Sequence, residues 1–358
     1  MMTRFNGYQA LKAIYKASTP SNAHEDFYVG YPWNDLTYND GSRLMADHTS
    51  NAYADHSAIS EDPDALRLRT IHDPKSFQYN KTRSDDCTFG AWKDNPMYWD
   101  YASGIITHPK PFKMGRFEVV AKMPEGEYLW PSIWLYSNDP QSIKEIDIIE
   151  AYTGNVPPQS IACNSPTDYC HIGYANLHSV PLNPGTAVDK VISGTMVNDQ
   201  ISYACIWSPE AVLYYYEDVL FYVVVFDPND SAYNGYRGIM DIDASMNLVI
   251  ENKPASNSLQ DFDACIASGC KAGIQGSDDY EKMKKLHLGK IDHPDTSDNG
   301  DMAITWFEYE SWEDNPTYPG GHSSLRDYII GLGIDVMDQV TFVNLPILDI
   351  NSSDFHPS

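Results

Sequence analysis

The sequence predicts an all-β fold, a two-sheet antiparallel β-sandwich. Three observations carry this prediction. From Ala65-Leu-Arg-Leu-Arg-Thr70 onward the chain is a series of short runs rich in β-branched and aromatic residues, bounded by Pro, Gly, Asn and Asp turns. No helical periodicity separates these runs, which argues against the strand–helix alternation of a parallel sheet. At 358 residues the chain is long enough to bury a full hydrophobic core.

In order along the chain, residues 1–60 read as an N-terminal arm and first strands, with the best helical pattern at Tyr8 to Ala17 and a Ser-Thr-Pro-Ser-Asn break after it. Residues 61–312 form the sandwich itself. Its strands include Phe117-Glu-Val-Val-Ala-Lys122, Ile133-Trp-Leu-Tyr136, Ile201 to Trp207, Val212 to Tyr216 and Leu220 to Phe226. Within it, residues 256–300 are polar and acidic and read as a long insertion before the last core strand. Residues 313–358 form a C-terminal extension. Its runs Tyr328-Ile-Ile-Gly-Leu-Gly-Ile334 and Val340 to Leu348 are too apolar for a solvated tail and are expected to pack on the sandwich.

One strand stands apart. Glu145, Asp147 and Glu150 place three acids in six residues, and isoleucine fills all three positions between them. An exposed strand with chance acids would not be expected to do so. Carboxylates on a core strand are costly unless they line a cleft or find partners. Side chains alternate faces, so Glu145 and Asp147 share one face while Glu150 would point to the other. A β-bulge between Asp147 and Glu150 would restore it, and bulges concentrate beside active sites. The outer two carboxyls would then lie roughly 5 Å apart, the separation at which one acts as nucleophile and the other as acid/base in a retaining glycosidase.

Composition narrows the partners. The 24 Lys and Arg against 50 Asp and Glu give a net charge of −26, which repels nucleic acid and anionic lipid and favours a neutral ligand. The 25 Tyr and 8 Trp offer flat faces suited to stacking on sugars, although tyrosine is also favoured in sheets generally. No apolar run is long enough for a membrane helix. Cys163 with Cys170 and Cys265 with Cys270 are close enough in sequence for local disulfides in an oxidising compartment. Cys205 sits in an apolar pattern and reads as a small core residue, while Cys87 is either free or its partner. No Cys/His spacing fits zinc. Sequons occur at Asn80, Asn229 and Asn351. The opening Met-Met-Thr-Arg-Phe-Asn-Gly lacks the apolar core of a signal peptide, so an extracellular location, which we expect, requires a removed signal or another export route.

The acid segment Glu145-Ile-Asp-Ile-Ile-Glu150 resembles the bulged E-x-D-x-x-E signature of glycoside hydrolase family 16, the laminarinase, agarase and carrageenase group. Tyr101-Ala-Ser-Gly-Ile105, Met114 to Val119, Ala121-Lys-Met-Pro124 and Leu129-Trp-Pro-Ser-Ile-Trp-Leu135 precede it in the family's order. Asn176-Leu-His178, Tyr203 to Glu210, Met246 to Ile250 and Ile304 to Tyr309 follow. The resemblance covers roughly residues 60 to 312 and implies that the sandwich is a jelly roll with a concave substrate cleft. It implies Glu145 as nucleophile, Asp147 as its electrostatic helper and Glu150 as general acid/base, with Trp130 and Trp134 on the cleft floor and His178 near the acid/base. Arg116 is expected to be structural and Trp207 to lie in the core.

The activity so implied is retaining endo-hydrolysis of a neutral β-1,3-glucan by a monomer that requires no cofactor. The alternatives are a marine galactan hydrolase, suggested by Trp306, and a catalytically silent glycan-binding jelly roll. Several positions depart from the family pattern. Ile105 stands where relatives carry arginine, Glu217-Asp218 replaces an Asp-Gly turn, and Met246 to Asn252 differs from the usual Asn-rich strand. Thr305 replaces an aspartate that can bind structural calcium, which puts that ion in doubt.

Overall fold

The structure, a computed structural model, describes residues 3–5, 27–32, 52–61, 65–78, 96–124, 129–137, 144–152, 172–179, 190–193, 200–226, 239, 241, 243–254, 296, 300–333 and 342–343. Within them the strands are β1 (Thr3–Phe5), β2 (Tyr28–Val29), β3 (Ala52–Ala54), β4 (Ile59–Glu61), β5 (Leu66–Leu68), β6 (Thr70–Gln78), β7 (Pro96–Thr107), β8 (Gly115–Lys122) and β9 (Leu129–Ser137). They continue as β10 (Lys144–Tyr152), β11 (Ile172–Ser179), β12 (Lys190–Ser193), β13 (Ile201–Trp207), β14 (Ala211–Tyr216), β15 (Val219–Val225), β16 (Asn247–Pro254), β17 (Met302–Ser311) and β18 (Phe342–Val343). A short helix, α1, spans Leu325–Gly331.

These strands form two sheets. Sheet A runs β18-β15-β14-β13-β8-β17-β5-β4, with β1 also on β17; sheet B runs β12-β11-β10-β9-β16-β7-β2, with β3 and β6 also on β7. Among the described residues only β3 against β7 is parallel. The fold is therefore the antiparallel sandwich that the runs of alternating residues indicate, with the two-sheet order of the jelly-roll type that the resemblance implies. In β8 the alternation is complete: Phe117, Val119 and Ala121 are buried between the sheets, while Arg116, Glu118 and Lys122 face outward. The core between the sheets takes Phe117 and Val119 from β8, Cys205 and Trp207 from β13, Ile133 and Leu135 from β9, and Leu248 and Ile250 from β16. Trp207 donates its indole N–H to the Ile239 carbonyl at 2.9 Å, which removes the one polar cost of its burial. Burial pushes the thiol pKa of Cys205 up, so it behaves as an apolar core group.

Close approach explains one glycine. A Cβ at Gly104 on β7 would lie 2.7 Å from the Leu68 Cα and 2.8 Å from the Ala58 carbonyl oxygen, so only glycine lets β7 pass these segments. The β14–β15 hairpin turns on Glu217 and Asp218, both at positive φ (50° and 61°). That conformation favours Asn or Gly and costs about 1–2 kcal/mol per residue otherwise. Side-chain contacts offset the cost in part, since the Glu217 carboxylate accepts from the Ser202 N–H at 2.6 Å and Asp218 pairs with Arg116 at 2.9 Å. Arg116 also bonds Glu118, a structural role on the outer face of sheet A.

The outer face of sheet A is covered by residues that follow β17. Ser324 caps α1 by accepting from the Asp327 N–H at 3.1 Å, and the Glu210 carboxylate accepts from the Leu325 N–H at 3.2 Å. Leu325, Tyr328 and Ile329 then pack with Tyr318 onto Ile206, Leu213, Tyr215 and Val223. Ile330 and Leu332, by contrast, are about half exposed. The second apolar run of the tail reaches the sheet as β18 on the edge strand β15. The N-terminal helix pattern, most of residues 256–300, the sequons and all cysteines except Cys205 lie outside the described residues.

Candidate active site

The acids sit on β10, an interior strand of sheet B between β9 and β11. Up to Asp147 the register is regular, with Glu145 opposite Tyr136 and Asp147 opposite Trp134. It then shifts by one residue, so that Glu150 pairs with Ser132. The same irregularity appears against β11, between Asp147 opposite Asn176 and Glu150 opposite Tyr174. This is the bulge that parity required. Because the β9 partners step by two (Tyr136, Trp134, Ser132), the three acids share one face. Ile146, Ile148 and Ile149 all enter the core. Their burial contributes roughly 1.5–3 kcal/mol each and pins this register, since a one-residue slip would drive carboxylates inward instead.

On the acid-bearing face Glu145 and Glu150 are half-buried and Asp147 is buried. Two partly accessible carboxyls flank a sequestered one. Trp130 donates its indole N–H to Glu150 Oε1 at 3.2 Å and remains partly exposed, which brings an aromatic face beside the terminal acid. Trp134 lies on the same face but is only 3% exposed. Its ring meets Tyr136 at 5.5 Å and Tyr31 at 6.4 Å between centroids, within a packed layer that also holds Ile105 and Val249. Trp130 therefore keeps accessible surface, whereas Trp134, expected on the cleft floor, is covered. The backbone of His178 is opposite Glu145 on β11; its imidazole lies outside the described residues.

Sequence reasoning missed the adjoining strand. On β16, Glu251 is opposite Ser132 and Lys253 opposite Trp130, so both extend the acid-bearing face. Both are nearly fully buried, at 1% and 4% exposure. Glu251 Oε1 accepts from Lys253 Nζ at 2.8 Å and from the Ser132 hydroxyl at 2.7 Å, while its Oε2 accepts from the Tyr31 hydroxyl at 2.8 Å. Lys253 Nζ lies 4.3 Å from the centroid of the Trp130 ring, a cation–π contact. A signal was present, because Asn247-Leu-Val-Ile-Glu-Asn-Lys-Pro254 sets charges into an apolar strand just as the acid segment does. Tyr31 carried none; it is 220 positions from its partner.

The departures from the family pattern find places here too. Ile105, where relatives carry arginine, is fully buried against this layer and opposite Glu251. Thr305 sits in a bulge of β17 and directs its hydroxyl to Gln200 at 3.0 Å and to the Val120 carbonyl at 3.3 Å. A neutral hydroxyl so engaged supplies no charged ligand for calcium. Trp306 is on sheet A, not on the sheet that carries the acids. No helix among the described residues is long and apolar enough to cross a membrane.

No family model matches the sequence. The chain is 27% identical over 122 residues to the endo-1,3-1,4-beta-glycanase EglC of Rhizobium meliloti, covering 34% of this chain and 23% of that protein. It is 27% identical over 168 residues to glucan endo-1,3-beta-glucosidase A1 of Niallia circulans, covering 44% and 21%. The chain thus spans less than a quarter of the length of each of these relatives. Among solved structures, the laminarinase catalytic domain of Thermotoga maritima superposes with a TM-score of 0.48 at 14% identity, over 80% of this chain and 91% of that one.

Proposed function

We propose that this chain, which resembles the laminarinase group of glycoside hydrolase family 16, is a retaining endo-glycosidase that cleaves a β-1,3-glucan. The observation that carries the reading is the bulged strand β10, which turns Glu145, Asp147 and Glu150 to one face with Trp130 beside Glu150. A binding module needs aromatics and polar groups but not paired carboxylates. The two curated relatives, one named for 1,3-1,4-β-glycanase and one for 1,3-β-glucosidase activity, support a β-glucan as the substrate. A polysaccharide substrate, which does not cross a membrane unaided, favours action outside the cell.

The chemistry follows from the two half-buried acids. The Glu145 carboxylate attacks the anomeric carbon as Glu150 gives its proton to the departing glycosidic oxygen, leaving a glycosyl ester on Glu145. Water then attacks that carbon, Glu150 takes the proton of the water, and the Glu145 carboxylate is released. Asp147, between them and buried, is the electrostatic helper of the nucleophile. Trp130 offers its exposed ring surface to the CH face of a sugar.

Reducing-end assays on laminarin, lichenan, agarose and κ-carrageenan test the substrate, and proton NMR of the earliest product tests the stereochemistry. We expect laminarin to be cleaved to the β-anomer first. Binding without hydrolysis, early α-anomer, or preference for a galactan would overturn the reading.

A further inference from the structure

We propose that Lys253 and Glu251 are positioning residues for Glu150, acting on it through Trp130. The proposal rests on the reading of Glu150 as acid/base given above. An unbroken series of contacts links them. The Tyr31 and Ser132 hydroxyls hold the Glu251 carboxylate, Glu251 holds the Lys253 ammonium, the ammonium lies over the Trp130 ring, and the edge of that ring donates to Glu150 Oε1.

The indole is thereby fixed at two points that differ in direction. Its N–H is committed to Glu150 in the ring plane, and one face is committed to the ammonium at 4.3 Å. Rotation of the ring breaks both. The indole and the acid are thereby held in one fixed relation, which aims the acid at a bound sugar's glycosidic oxygen.

Space-filling does not explain the pair. Desolvating two charges costs several kcal/mol per ion, and apolar residues of similar volume usually serve stability as well or better. The same face accepts such residues beside the pair, where Val249, two positions before Glu251 on β16, and Ile105, opposite it on β7, are fully buried. A buried ion pair kept beside an acid that must be aimed at a glycosidic oxygen therefore fits a positioning role.

A leaving-group test separates this role from a structural one. If Lys253 acts through the acid/base, its loss should harm substrates whose leaving group needs a proton and spare those that do not. We would compare kcat/KM on laminari-oligosaccharides with kcat/KM on a dinitrophenyl β-glycoside, whose phenolate departs unprotonated. The panel comprises wild type, Lys253→Met, Lys253→Arg, the double variant Glu251→Gln/Lys253→Met, and Glu150→Gln. The double variant covers the case in which Lys253→Met fails to fold because Glu251 is left as a lone buried charge.

We expect the lysine-to-methionine variants to lose about 10- to 100-fold on the oligosaccharide and less than about 3-fold on the aryl glycoside, with most activity kept by Lys253→Arg. Glu150→Gln should show the same pattern more strongly. Equal losses on both substrates, or no loss on the oligosaccharide, in variants that circular dichroism shows to be folded would overturn the proposal. If Glu150→Gln itself lacks leaving-group dependence, the acid/base reading falls and takes the proposal with it. If Glu150→Gln has it and the lysine variants do not, the proposal alone fails.

Discussion

Both outer faces of the sandwich are covered by chain outside the central strands, yet the two covers are of different kinds. On sheet A the cover is apolar: Leu325, Tyr328 and Ile329 of α1 with Tyr318 lie on Ile206, Leu213, Tyr215 and Val223. Its polar atoms are mostly hydroxyls bonded to one another or to the exposed Glu210 carboxylate, as where Tyr215 donates to Tyr328 at 3.2 Å and Tyr318 bonds Ser208 and Glu210 at 2.9 Å each. On sheet B, among the described residues, Tyr31 and Ala54 lie over a face that itself carries a buried Glu–Lys pair, and Glu145, Glu150 and Trp130 are partly exposed. The first cover seals a surface at little electrostatic cost. The second retains charges that an apolar residue could replace, which is the pattern of a surface shaped for chemistry rather than for stability.

The largest expected effect breaks the comparison on the acid side. Glu145→Gln keeps the shape but removes the proposed nucleophile, so laminarin hydrolysis measured by reducing ends should fall at least about 100-fold while the melting temperature barely moves. On the other side the signs reverse. Tyr328→Ala removes a ring that stacks on Tyr318 at 5.9 Å and is buried against sheet A. It should cost about 3 kcal/mol in denaturant unfolding and leave kcat unchanged at temperatures where the variant is folded.

The tyrosine cover also predicts a pH limit. Burial, first of all, raises the phenol pKa values of Tyr215, Tyr318 and Tyr328. A raised folded value means that the unfolded chain gives up these protons first. The stability they contribute is thus complete below about pH 10 and is lost as pH rises above it toward the folded values. Chemical denaturation between pH 8 and 11 should show that decline, and Tyr215→Phe should flatten it. The smallest effect concerns the β14–β15 turn. Asp218→Gly relieves a positive φ but gives up an exposed pair with Arg116, so we expect a gain of no more than about 1 kcal/mol and no change in activity.

What could be read from the sequence was what lies within single strands. Alternation in β8, the apolar runs of β13 to β15 and the acid–isoleucine pattern of β10 each state their own burial, and parity showed where a bulge would bring Glu150 to the face of the other two acids. Contacts between distant segments were not legible. Nothing about Tyr31 announces that its hydroxyl meets Glu251, and nothing in the Leu-Trp-Pro-Ser-Ile-Trp motif says that Trp134 is covered while Trp130 is not. Glu251 and Lys253 fall between these cases, because their strand showed the charge-in-apolar pattern but their meaning depended on which strand lay next to β9.

The claim that β10 carries a nucleophile and an acid/base is tested most directly by trapping the intermediate. A 2-deoxy-2-fluoro laminaribiosyl donor with a dinitrophenyl leaving group should glycosylate the protein slowly, releasing one phenolate per chain, and peptide mass mapping should place the sugar on Glu145. A sugar found on another residue, or continued turnover of the natural glucan with no adduct formed, would contradict the account.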